Sequence, residues 1–233
     1  ELIRQFAAER LANLGDAGRT EQRFMDYYQA LAAGTALAFV ADGRRLSIDP
    51  IWMEYDNLRV ALRLAVTQQQ GDVGANFCSN MRTYWAMRGL VREGLQWTRQ
   101  FLALPQFSSR SRGLLHGVEV ALLQLQSTWG EALTAAEHAL SLLQPGVDDL
   151  AREAALTGAA MAALDAGDYA QARTYLHDCV SLDRMLGSTF YEAATLTNLG
   201  NTYLYEGDLI EAQRYYHAAR VLALEVGAEL VVA

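Results

Sequence analysis

The stretch that decides the fold is Ala193 to Val226, and within it Leu196-x2-Leu199-Gly200-x2-Tyr203 followed by Ala212-x3-Tyr216. Apolar residues return three and four positions apart on both sides of Glu206-Gly207-Asp208, the period of two amphipathic helices. Glycine supplies the left-handed backbone that ends the first helix, and Asp208 can cap the second. The small residues Gly200 and Ala212 let the two helices approach closely, and Tyr203 and Tyr216 fill the space around them. The stretch reads as one helix–turn–helix unit.

The unit repeats toward the N-terminus. Gly167-Asp168-Tyr169-Ala170-Gln171-Ala172 precedes Gly207-Asp208-Leu209-Ile210-Glu211-Ala212 by 40 residues. The same offset pairs Leu156 with Leu196, Ala160 with Gly200, Leu176 with Tyr216 and Cys179 with Ala219. A further 40 residues back lies Ser127-Thr128-Trp129-Gly130-Glu131-Ala132, and 38 before that Gly89-Leu90-Val91-Arg92-Glu93-Gly94. This spacing resembles the tetratricopeptide pattern W-x2-L-G-x2-Y…A-x3-F, with Leu196 in the Trp slot and Tyr216 in the aromatic slot. The resemblance implies an all-α, right-handed superhelix of helix pairs, here about eleven helices. Each pair leaves apolar surface that only its neighbours bury.

Three regions are expected: residues 1–18 as a leading helix, 19–70 as an irregular opening pair, and 71–233 as repeats near 73–104, 110–143, 148–186 and 189–226. Glu1–Leu14 reads as a helix ended by Gly15, and Thr20–Phe39 as another, broken at Gly43-Arg44-Arg45. Asp49 and Pro50 mark a helix start. The following Ile51–Gln68 reads as one helix with a stripe of Trp52, Tyr55, Leu58, Leu62 and Ala65. The start at Glu1 and the apolar end Leu230-Val231-Val232-Ala233 suggest a piece of something longer, its last unit covered by further chain or by a partner.

Composition narrows the function. Of 233 residues, 52% are hydrophobic and 3 are Pro, which favours long helices over disorder. No apolar run approaches the roughly 18 residues of a membrane span. Cys78 and Cys179 show no zinc or disulfide spacing and read as reduced core residues of a cytoplasmic protein. All 19 basic residues are Arg, so the chain has no P-loop lysine, and its net charge of −8 disfavours direct nucleic-acid binding. The charge is uneven: residues 82–112 carry six Arg against Glu93 alone, and 113–233 five Arg against sixteen acids.

Ile3-Arg4-Gln5-Phe6-Ala7-Ala8-Glu9-Arg10-Leu11, Glu54-Tyr55-Asp56-Asn57-Leu58-Arg59-Val60-Ala61-Leu62 and Tyr84-Trp85-x3-Gly89-x3-Glu93-Gly94-x2-Trp97 carry a second resemblance. They are similar to the C-terminal region of bacterial STAND-class (LuxR/SARP-like) transcriptional regulators. There a nucleotide-binding module and winged helix lead into a tetratricopeptide-like array, so the resemblance implies that residues 1–18 are the trailing helix of an upstream winged-helix-like module. The resemblance implies a sensing or interaction role; the ATPase and DNA-reading activities map to no residue of this chain.

The chemistry-bearing residues fit that role. His116, His138, His177 and His217 lack metal-ligand spacing. Asp148-Asp149 precedes a helix, where acids serve as caps. Nothing resembles HExxH, GxSxG or a Cys–His–Asn set, so no catalytic residue, metal or cofactor is assigned. Trp52, Tyr84, Trp85, Trp97 and Trp129 read mainly as core, with one of the adjacent Tyr84 and Trp85 free to face outward. Two surfaces remain. The first helices of the pairs should line a groove with Asn76, Asn80, Thr83, Met87, Thr157, Met161, Asn198, Asn201 and Tyr205. Arg82, Arg88, Arg92 and Arg99 form a patch for an acidic partner or for the protein's own ATPase module. The expected activity is non-catalytic: binding a protein partner or that module, with a small-molecule effector in the groove, or self-association into a homodimer, as alternatives.

Overall fold

Glycine and aspartate together set the turn between paired helices. The computed structural model describes residues 16–42 and 49–225, which form eleven α-helices and no strand. They are α1 (Ala17–Asp42), α2 (Asp49–Met53), α3 (Tyr55–Thr67), α4 (Gly71–Met87), α5 (Val91–Leu102), α6 (Ser109–Gln124), α7 (Trp129–Leu142), α8 (Asp149–Asp165), α9 (Tyr169–Leu186), α10 (Thr189–Glu206) and α11 (Leu209–Glu225). At the α10–α11 turn Gly207 has φ 92°, and the Asp208 amide donates back to the Tyr203 carbonyl at 2.9 Å. Asp208 Oδ1 then accepts from the Glu211 amide at 3.1 Å, capping α11. Gly167 (φ 76°) and Asp168, whose Oδ1 accepts from the Gln171 amide at 3.0 Å, repeat the arrangement. One repeat earlier Ser127 occupies the glycine slot and still adopts φ 54°. The expected helix over Glu1–Leu14, the break at Gly43-Arg44-Arg45 and the apolar end Leu230–Ala233 lie outside the described residues.

The chain forms two compact units, the first ending at Ser111 and the second beginning at Arg112. In the first, α1 packs on α3 and α4, and α4 packs on α5. Tyr84, Trp85, Phe77, Phe101, Leu58 and Leu62 are buried there. The single helix expected over Ile51–Gln68 is instead two, parted at Glu54. The Glu54 carboxylate accepts from the Tyr28 hydroxyl and from the Asn57 side-chain amide, both at 2.7 Å. These bonds hold the carboxylate ahead of α3, and Tyr55, Leu58, Leu62 and Ala65 continue as a buried stripe. Trp52, before the break, leaves that stripe and is 56% exposed. Tyr84 and Trp85 are both buried, so neither faces outward as expected. The Tyr84 ring packs tilted against Tyr55, with centroids 5.0 Å apart, while the Trp85 indole N–H donates to the Tyr55 hydroxyl at 2.8 Å.

In the second unit α7 packs on α8, α8 on α9, α9 on α10 and α10 on α11. Leu176, Val180, Leu196, Leu199 and Ala219 form one core cluster, with Ala160 among them. Gly200 lies in this layer, and a Cβ added there would fall 2.5 Å from the Tyr216 ring. Leu156, Cys179 and Leu182 form a second cluster. Ahead of α8, Asp148 and Asp149 accept from the Gln144 and Gly146 amides at 3.2 and 2.7 Å. They close the preceding turn rather than cap the first N–H groups of α8, because the chain folds back over both carboxylates.

Asp183 on α9 is fully buried. Its Oδ2 accepts from the Thr195 hydroxyl at 2.8 Å, and its Oδ1 has no hydrogen-bond partner. Desolvation raises its pKa, outweighing the Thr195 bond, and Glu192 adds to the rise. The folded state therefore holds the proton to higher pH than the unfolded chain. Stability from this group is fully present below the unfolded value and is lost as pH rises through the folded one. Asp183→Asn should flatten the acid-to-neutral decline in unfolding free energy, measured by urea titration at several pH values. Parallel pH profiles for variant and wild type would refute the assignment.

Candidate partner-binding surfaces

Helical spacing places Asn76, Asn80, Thr83 and Met87 on one face of α4, since they sit at i, i+4, i+7 and i+11. Asn76 and Met87 are exposed, and Asn80 and Thr83 half-buried. In the second unit, Thr157 and Met161 on α8 are half-buried, as are Asn198 and Asn201 on α10, with Tyr205 61% exposed. Two of these residues already serve the fold. Thr157 donates to Glu153 Oε1 at 2.9 Å and lies 3.5 Å from Cys179 Sγ. Asn201 Oδ1 accepts from the Tyr216 hydroxyl at 2.8 Å, tying α10 to α11. Asn198 and Tyr205 form no such tie, although Tyr205 stacks at 6.4 Å on Tyr169.

The arginines divide by what they touch. Arg88 follows directly on α4; Arg92 and Arg99 belong to α5; all three are exposed, and Arg82 on α4 is half-buried. Glu93, the only acid among residues 82–112, turns away from them. Its two oxygens accept from Arg59 Nε and Nη2, each at 2.7 Å, in a bidentate pair. Arg59 also lies 4.6 Å from the centroid of the Tyr55 ring. The bond from Arg59 is the largest influence holding the Glu93 carboxyl below its usual range. The pairing of Arg59 with Glu93 is not legible in the sequence, because 34 residues separate the partners. Among the described residues Arg82, Arg88 and Arg92 form no ion pair, so the one acid of the segment does not neutralise them.

The histidines associate otherwise than by repeat position. His116 lies 5.0 Å from His138, and its Nδ1 is 3.3 Å from Glu119 Oε2. His177 and His217, equivalent by the 40-residue offset, are both exposed. Among the described residues no group of three or more His, Cys, Asp or Glu converges on a metal site. No described helix is long and apolar enough to cross a membrane.

Comparison with known proteins supplies a setting. No family model matches the chain. It is similar to proteins of Mycobacterium tuberculosis (strain H37Rv) and Mycobacterium bovis named as HTH-type transcriptional regulators, with 31% identity over 168 residues in each case. The matched part is 67% of this chain but 19% of each relative, so the chain spans about a fifth of their length. Among solved structures it is similar to nearly identical TPR-like repeats of a kinesin light chain from Podosopora anserina. One such structure gives a TM-score of 0.61 at 14% identity, covering 85% of this chain and 95% of that one. A second gives 0.59 at 15% identity over 84% and 95%. The fold is therefore of the tetratricopeptide-like repeat type, as the spacing of Leu196, Gly200 and Ala212 implies.

Proposed function

We propose that this chain is a non-catalytic interaction module of a cytoplasmic bacterial transcriptional regulator, and that it binds a protein partner or the regulator's own ATPase module. The observation that carries the reading is the α10 face. Asn198 and Tyr205 lie there, on the first helix of a repeat, without the interhelical bond that occupies Asn201. An exposed aromatic and a half-buried amide on a rigid helix suit recognition, because little ordering remains to be paid on binding. The similarity to HTH-type regulators supports the setting. Binding that favours one packing of the array would shift an attached module between states, by linkage.

The test is capture of the full-length regulator's partner or ATPase module by the chain and by a double variant, Asn198→Ala with Tyr205→Ala. The variant should bind at least about tenfold more weakly, equivalent to roughly 1.4 kcal/mol. Unchanged affinity would remove α10 from the interface. Self-association is a second reading, favoured by Ile210 (81% exposed), Leu209 and Leu224 on α11. Sedimentation velocity over a range of concentrations separates the two, since a constant monomer leaves only the partner reading.

A further inference from the structure

The α2–α4 corner of the first unit presents a preset cation beside an orphaned hydroxyl. The Arg88 guanidinium lies 4.7 Å from the centroid of the Trp52 ring. Arg88 is exposed and forms no ion pair among the described residues, in contrast to Arg59, whose charge Glu93 and Asp56 occupy. One turn before Arg88 on the same face is Tyr84, joined to it by the bond from the Arg88 amide to the Tyr84 carbonyl at 3.0 Å. Tyr84 is 2% exposed, and its hydroxyl has no hydrogen-bond partner. Burying an unpaired hydroxyl is costly, so such a group is a candidate for a partner supplied from outside. Met53, next to Trp52 in sequence, is 83% exposed, and Met87, next to Arg88, is exposed as well.

We propose that Trp52, Tyr84 and Arg88 form a recognition site for a carboxylate side chain on an acidic, partly apolar peptide segment. The proposal rests on the interaction-module reading and adds the chemistry of what is bound. A guanidinium seated on an aromatic face still presents its N–H edge, the geometry that accepts a carboxylate. In the bound state the Tyr84 hydroxyl, which has no internal partner, donates to the second carboxylate oxygen. Met53 and Met87 take the apolar neighbours of the acidic residue, as flexible thioethers do at adaptable surfaces. The charge around the site suits this occupant: Arg82 and Arg92 are also without ion-pair partners among the described residues, and Glu93 faces Arg59.

The probe is the peptide acetyl-Leu-Glu-Leu-Glu-Leu-amide, titrated into the whole chain and followed by NMR of the indole N–H signals of the 4 tryptophans, with Trp52 assigned through Trp52→Phe. The Trp52 signal should shift on titration, and the Gln-for-Glu peptide should bind about tenfold or more weakly. Arg88→Gln and Tyr84→Phe should each weaken binding about tenfold. Tyr84→Phe removes a hydroxyl with no internal bond, so exchange protection of the α4 and α5 amides should not fall. A weakened affinity then reports recognition rather than folding. Equal binding of the Gln peptide, or full affinity in Arg88→Gln, would overturn the site. So would inorganic phosphate displacing the peptide at equal concentration. Peptide binding that survives Arg88→Gln but is lost with Asn198→Ala and Tyr205→Ala would overturn this site while leaving the interaction reading intact. No binding by the wild-type chain would overturn the site, and the capture experiment would then judge the broader reading separately.

Discussion

Replacing Trp85 with alanine destabilises the first unit by about 3–5 kcal/mol, the usual cost of emptying a buried tryptophan site. The side chain is fully buried, and its indole N–H is bonded at 2.8 Å to the Tyr55 hydroxyl. Truncation opens a cavity on α4 and strips Tyr55 of its donor. Tyr55 is itself 6% exposed and packed against the Tyr84 ring, so water reaches it poorly. Trp85→Phe separates the two contributions: it keeps much of the volume but loses the N–H, at a cost of about 1 kcal/mol for one hydrogen bond, since the Tyr55 hydroxyl keeps its bond to Glu93. Because the chain forms two units, a single melting temperature would mix them. Hydrogen exchange of α4 and α5 amides reads the first unit alone. A loss of protection below about 1 kcal/mol for the alanine variant would show that the site collapses around the gap.

Gly200→Val is expected to cost the second unit about 3 kcal/mol, near the upper end of typical overpacking penalties. Helix propensity alone predicts the opposite sign for a simpler change, since Gly→Ala inside a helix gains roughly 1 kcal/mol. Packing decides between them. A Cβ at this position would lie 2.5 Å from the Tyr216 ring, too close to stand unless something moves. The ring is held at its far end, where its hydroxyl donates to Asn201 at 2.8 Å. Moving it away breaks the tie between α10 and α11 and disturbs Leu196, Leu199 and Ala219 in the same layer. Urea unfolding followed by exchange of α10 and α11 amides measures the effect. A valine variant as stable as wild type would mean that Tyr216 swings out freely. The Gly200→Ala variant, with its two opposed contributions, then shows by its sign how far the ring yields.

Much of the architecture is legible in the sequence because its signals are local. The Gly-Asp pairs at 167–168 and 207–208 declare both the turn and the cap within two residues, and the structure forms both. The 40-residue offset correctly pairs Ala160 with Gly200 and Cys179 with Ala219 as buried positions. Signals that depend on distant partners are not readable this way. Periodicity carries Trp52 into the α3 stripe, but Tyr28 and Asn57 bind Glu54 at the point where the helix divides, and no pattern around Trp52 reveals that. Adjacent Tyr84 and Trp85 point to different sides of one helix, yet both are buried because Tyr55 and the flanking helices cover both directions. For the arginine segment, counting charges gives the excess but not which guanidinium is already spent. The division between Arg59, paired with Glu93, and Arg88, seated on Trp52, exists only in three dimensions. Among the groove positions, the sequence gives spacing, while the engagement of Asn201 by Tyr216 and of Thr157 by Glu153 comes from packing.

The two buried cysteines have a practical consequence for spectroscopy. Desolvation pushes the thiols of Cys78 and Cys179 up to about 12, so neither ionises near neutrality, and both side chains are fully covered. Maleimides and spin labels react with the thiolate of an accessible cysteine, so the folded chain is a nearly silent background for them. A cysteine introduced at an exposed site such as Asn76 on α4, paired with another at Gln213 on α11, can carry a dye or nitroxide in otherwise native protein. The chain offers no lysine either, which leaves amine-reactive dyes with little to label along it. Distances between the two units, and their change when a ligand binds, thus become measurable without first rebuilding the core.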